Sequence, residues 1–275
     1  MSYTPVIPLS GLAGWRFLQR TEAAQKAAFD KSAEVRKDVA YFAGKIGKVT
    51  SAADLVADRR LLKVALGAFG LGDKIDARAF IRKALEEGSE ADDAFANRLS
   101  DATYARMAAA FGFGNATGAR TADAGFAARI TEAYKANAFQ EAVGEASDTM
   151  RLAMSFRDRI ADLAAGDGKS WYTVLASKPL REVFEGAYGL PASFVNVDID
   201  RQRDILAGKT AQLFGKDSLA AFQDGGAVEK LLNRFLVRAQ LEEGVSATNR
   251  GASALALLQG GSGSQGILNL LASMG

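Results

Sequence analysis

Gly67-Ala68-Phe69-Gly70-Leu71 (GAFGL) returns later in the chain, with one aromatic exchanged, as Gly186-Ala187-Tyr188-Gly189-Leu190 (GAYGL). A helix whose C′ residue is a left-handed glycine is commonly sealed by an apolar residue just beyond it, and both phrases have that form. Each copy therefore predicts the end of a helix. Upstream, Leu61, Val64, Ala65 and Ala68 fall at helical spacing behind Asp58, a predicted N-cap. The second copy places Leu180, Val183, Phe184 and Ala187 at the same positions behind Ser177. Pro179 then falls in the first turn, where its missing N–H does no harm.

The match extends well past a capping signal. Ser51 to Leu71 lines up with Ser170 to Leu190 without a gap, with identities that include Ser51/Ser170, Ala57/Ala176, Leu61/Leu180, Val64/Val183 and Gly67/Gly186. Downstream, Asp101 to Gly112 resembles Asp204 to Gly215. Next, Gly125, Arg129, Ile130, Tyr134, Ala138 and Glu141 face Gly226, Lys230, Leu231, Phe235, Ala239 and Glu242. A weaker block before the first sets Phe42, Lys45 and Ile46 against Phe156, Arg159 and Ile160. The first copy holds additional residues between its blocks, and the acidic stretch from Glu86 to Asp93 is the expected place for them. These matches predict an internally duplicated multi-helix bundle. An N-terminal arm and the start of the first helix occupy 1–28, one helical repeat 29–143, the second 144–244, and a flexible C-terminal tail 245–275.

Ala, Leu, Arg, Lys and Glu dominate, and apolar residues recur at threes and fours rather than twos, so the fold class is all-α. Long amphipathic stretches are expected from Trp15 to about Ile46 and from Glu145 to about Ala165. Over 275 residues, 48% are hydrophobic and 24% charged, with a net charge of +2. A sizeable core is possible, and no global field draws in nucleic acid or an anionic membrane. No run approaches the length of a membrane helix, and Met1 to Gly14 lacks the basic start of a cleavable secretory signal. With no Cys and no His, the chain has no thiol nucleophile, imidazole base, disulfide or usual ligand for zinc, copper or iron. No cofactor or metal is expected.

The motifs that suggest chemistry fail on context. Gly261-Ser-Gly263-Ser-Gln-Gly266 spells a dinucleotide fingerprint but has no strand before it and too little chain after it. Gly112 to Gly118 follows a helix with the wrong glycine spacing and reads as a loop. Asn196-Val-Asp198-Ile-Asp200 starts like a calcium loop, but Arg201 replaces the sixth-position glycine and Ala207 the bidentate glutamate; Asp198 or Asp200 is expected to cap a helix instead. Adjacent acids on a helix, such as Glu242-Glu243, point about 100° apart and read as a solvated face.

The ends carry the candidate interaction residues. Pro5 and Pro8 predict an extended arm. Beyond Gly244 come Leu255, Leu257 and Leu258, a Gly/Ser link at 260–264, and a short apolar segment with Ile267, Leu268, Leu270 and Leu271. That last segment is too short to be stable alone, so it either folds back on the body or docks on a partner. Trp15 joins these leucines and Ile267 as a partner-binding candidate, since large aromatics anchor interfaces, although core burial is the default for Trp15 and Trp171 alike.

The motif Tyr3-x-Pro5-Val6-x-Pro8-Leu9 is followed by Gly14-Trp15-x-x-Leu18-x-x-Thr21-x-x-x-Gln25. Leu62-x-x-x-Leu66-Gly67-Ala68-Phe69-Gly70-Leu71 and the block from Tyr134 to Gly144 complete the set. With these the chain resembles a family of uncharacterised alphaproteobacterial proteins encoded among flagellar genes. The resemblance implies a non-enzymatic, flagellum-associated structural or assembly role, with flagellar components or the chain itself as protein partner and no catalytic residues to carry over. It would work in the cytoplasm or be exported by the flagellar route. Two alternatives stand beside it. One is a cytosolic adaptor or export chaperone holding a partner helix; the other is a carboxylate-based, glycan-cleaving enzyme, which would need two carboxylates facing across a cleft.

Overall fold

The computed structural model describes residues 3–165 and 171–242, and within them every regular element is helical. The first half runs α1 (Gly11–Asp30), α2 (Ala33–Lys45), α3 (Ala52–Ala57), α4 (Arg59–Ala68), α5 (Arg78–Glu86), α6 (Thr103–Phe111) and α7 (Phe126–Ala146). The second runs α8 (Asp148–Ala165), α9 (Trp171–Ala176), α10 (Lys178–Tyr188) and α11 (Ile199–Phe214). A last helix, α12, occupies 225–242, where the described residues stop.

The repeated phrase ends a helix each time, by the same bonds. Leu71 N–H donates to Leu66 O at 2.9 Å and Gly70 N–H to Gly67 O at 3.1 Å; Leu190 N–H donates to Glu185 O at 2.9 Å and Gly189 N–H to Gly186 O at 3.2 Å. Gly70 and Gly189 stand at φ 72° and 63°, where a side chain would be strained. Asp58 caps α4 as expected, accepting from the N–H groups of Arg60 and Leu61 at 3.0 and 3.2 Å. Ser177 holds the cap position of α10, but its hydroxyl is buried without a partner. Pro179 in the first turn has no N–H to offer that hydroxyl, so the missing donor, harmless to the helix ladder, is a loss to the cap. Asp198 caps α11 through Asp200 and Arg201 N–H.

Packing repeats along with the caps. A Cβ built on Gly67 would come within 2.7 Å of the Tyr134 ring, and one on Gly186 within 2.7 Å of the Phe235 ring. The helix before each phrase thus lies against the last long helix of its half, α4 on α7 and α10 on α12, at an approach only glycine permits. Asn137, one turn along α7, donates to Gly67 O and Ala68 O at 3.0 and 2.8 Å. In the corresponding place on α12, Arg238 lies against Gly189. The additional residues of the first half comprise more than the acidic stretch: α5 and the irregular chain after it separate α4 from α6, while only a short 3₁₀ turn, Ala192–Asn196, separates α10 from α11.

Two expectations need correction. The stretch from Trp15 to Ile46 is two helices, broken at Lys31–Ser32 where Ser32 turns extended (φ −61°, ψ 147°) and begins α2. Periodicity could not see this break, because the apolar stripe resumes in phase and no Gly or Pro marks it. The second stretch begins at Asp148, after Ser147 (φ −158°, ψ 106°) ends α7.

Buried apolar residues of both halves form one connected cluster, from Trp15 and Phe42 through Phe111 and Phe139 to Phe156, Phe184, Phe222 and Leu236. Helix α1 braces it across the halves. Its Glu22 receives both guanidinium nitrogens of Arg157 on α8 at 2.8 and 2.9 Å, and its Gln19 donates to Glu229 on α12 at 2.9 Å. Gln25 bonds the N–H and C=O of Val6 at 2.7 and 3.1 Å, holding the arm along the helix.

Candidate functional site

Trp15, expected to anchor a partner, is fully buried. Arg157 stacks over its ring at 5.5 Å, and Gly14 beside it fits between the backbone at Leu9 and the side chain of Met150. Its place is in the core, because its side of α1 is the one pressed onto α8. Trp171 is also a core residue, its indole N–H bonded to Asp217 O at 2.8 Å. Leu255, Leu258, Ile267, Leu268, Leu270 and Leu271 lie outside the described residues.

A surface that the motifs did not single out is on α12. Val228, Leu231, Leu232, Phe235 and Leu236 face the core, yet Val237 and Leu241 on the outer side are 44% and 64% exposed. With Lys230 and Asn233 they make a shallow groove whose lining all comes from this one helix. Its steps of three and four are the spacing with which one helix presents a seam to another. Lys230, Arg234 and Arg238 run along the same groove, and none is in an ion pair among the described residues. Lys230 instead donates to Leu213 O at 3.1 Å and lies over the Phe214 ring. The sequence did carry a signal: α12 is apolar on more than one face, which a helix with one buried side does not need.

The first half contains a cleft of about 510 Å³, lined by residues that include Tyr3, Glu34, Lys63, Tyr134 and Glu141. At its floor Lys63 Nζ bonds Glu34 and Asp38, both at 2.8 Å, and Tyr134 donates to Asp38 at 3.3 Å. Burial acts to lower the Lys63 pKa, and the bonds to Asp38 and Glu34 outweigh it and leave it raised. Burial, with the Asp38 carboxylate assisting, pushes the Tyr134 phenol up to about 12. Lys63 and Tyr134 therefore keep their protons at neutral pH, and one ammonium holds both carboxylates. At the open rim, partial desolvation and then the Asp73 carboxylate raise Glu141. Among the described residues no group of three or more acidic side chains could hold a metal ion, and no helix is long and apolar enough to cross a membrane.

Three comparisons bear on this molecule. The family model described as protein of unknown function (DUF1217) matches residues 68–228, from the end of α4 to the start of α12. The X-ray crystal structure of protein AGR_C_984 from Agrobacterium tumefaciens is similar at 29% sequence identity and a TM-score of 0.70, over 87% of this chain and 99% of that one. No curated protein matches the chain.

Proposed function

The chain belongs to the DUF1217 family, and from that premise we propose that it is a non-enzymatic structural or assembly protein of the bacterial flagellum, working through protein contacts made by α12 and the residues after it. The observation that carries the reading is the outer face of α12, where exposed Val237 and Leu241 lie beside Lys230, Arg234 and Arg238. An apolar seam flanked by charge without carboxylate partners is the chemistry of a helix-in-groove contact, in which apolar residues give affinity and flanking charge selects the partner. The flagellar setting is supported by the sequence resemblance carried by the arm, the Gly14-Trp15 motif and the repeated phrase.

Fractionation of the native bacterium, with and without a working flagellar export gate, tests the location. Export-dependent appearance in purified flagellar bodies or the medium is the expected result. Strict cytoplasmic retention would replace it with an adaptor that holds a partner helix before export. In the same strain, removing residues 251–275 should leave the helical body folded, by circular dichroism, and impair motility or assembly; unchanged motility would sink the structural role.

A further inference from the structure

On α7 the stretch that corresponds to Val237 and Leu241 of α12, Ala136 to Gln140, is partly buried, and the next piece of chain packs against its end, while Ala128, Arg129 and Glu132 further back on that side stay exposed. Helix α8 leaves α7 after the single residue Ser147 and folds back on it, so that Gln140 donates to Asp158 at 2.9 Å and Arg151 lies against Gly144. In the register that sets Tyr134 against Phe235 and Asn137 against Arg238, Gln140 corresponds to Leu241. The position that is polar and bonded to the following helix in the first half is an exposed leucine in the second. The chain continues beyond α12 from that same end, and its first apolar run there is Leu255, Leu257 and Leu258.

We propose that residues 252–258 dock in cis along Val237 and Leu241 of α12, in the place that α8 takes on α7. Reach allows it: a connection of the length of 243–251 spans roughly 17 Å, and the seam from Lys230 to Leu241 rises roughly 16 Å. A tethered segment acts at an effective concentration in the millimolar range, so a few leucine contacts suffice where a free peptide would need many. Charge selects against a second copy. Two such faces brought together would gather Lys230, Arg234 and Arg238 from each around one seam, against Glu229 as the one carboxylate of each lining, itself bonded to Gln19, whereas 252–258 is uncharged and lets the basic stems lie along it. The segment at 267–271 stands beyond the Gly/Ser link and remains for a partner. The proposed function uses the same face of α12, but this inference concerns the free chain alone. Thiol protection in the purified protein and fractionation of the cell can each fail without the other.

Because the chain has no cysteine, a single thiol reports without background. The full-length Val237→Cys protein is alkylated alone and with Leu255→Ser and Leu258→Ser added, and Ile199→Cys serves as an exposed control. The expected result is alkylation about tenfold slower with the leucines in place, corresponding to a docked state populated about nine parts in ten. That protection should be independent of protein concentration, with no change at the control. Equal rates with and without the leucines would overturn the proposal and leave the face to a separate protein. Protection that grows with concentration would overturn it in favour of a second copy. Loss of protection on Leu268→Ser and Leu271→Ser, but not on the first pair, would overturn the assigned segment.

Discussion

Gly67 and Gly186 show how much a single missing methyl group decides. Both lie inside helices, where alanine is favoured over glycine by about 1 kcal/mol. Yet a Cβ at either position would come within 2.7 Å of an aromatic ring. Overpacking of that kind costs about 1–3 kcal/mol, so the packing term wins. Gly67→Ala should destabilise more than Gly186→Ala, because Tyr134 is tethered to Asp38 by its hydroxyl while Phe235 has no such tether. Urea denaturation of the two variants checks both the sign and the order; a stabilised Gly67→Ala would show that the close approach is not maintained. The glycines were legible in the repeated phrase as part of a helix ending. The rings they face were legible only as matched letters, since nothing in a local pattern says which helix lies over which. The Asp38, Glu34, Lys63 and Tyr134 cluster was not legible at all, because its members come from three helices far apart in sequence.

At the scale of the helix, α1 is the element whose role the local pattern concealed. Its apolar stripe announced that it would be buried, and the resemblance drew attention to Trp15, but the stripe could not say that the helix spans both halves. Arg157 is central to that brace: it bonds Glu22 twice and stacks over Trp15. Arg157→Ala should cost about 2–3 kcal/mol, less than for a deeply buried pair because the arginine keeps some solvent. In a double-mutant cycle with Glu22→Gln the two losses should overlap instead of adding. Strict additivity in urea unfolding would mean that the pair is ornamental. Helix α12 makes the complementary point. Its buried face follows from spacing, but the exposure of Val237 and Leu241 depends on none of the other described helices lying there.

The two halves of the described chain share one core. The continuous apolar cluster and the brace by α1 couple the halves, so they should unfold together despite a length at which intermediates are common. One tryptophan lies in each half of the cluster, which makes the test direct. The fluorescence transitions of Trp15→Phe and Trp171→Phe should coincide with one another and with circular dichroism; separated midpoints would show two units that merely touch.

The amino-acid order by itself determined the helical class, the glycine endings of α4 and α10 and the cap at Asp58, and it narrowed the cap of α11 to Asp198 or Asp200. These depend on residues a few positions apart, where backbone sterics and hydrogen bonding act directly. Only the tertiary structure decided the break between α1 and α2, the burial of Trp15, the insertion of α5 and the open face of α12. Each of those turns on which surfaces meet, a contest among distant segments for the same apolar area, and local spacing carries no record of its outcome.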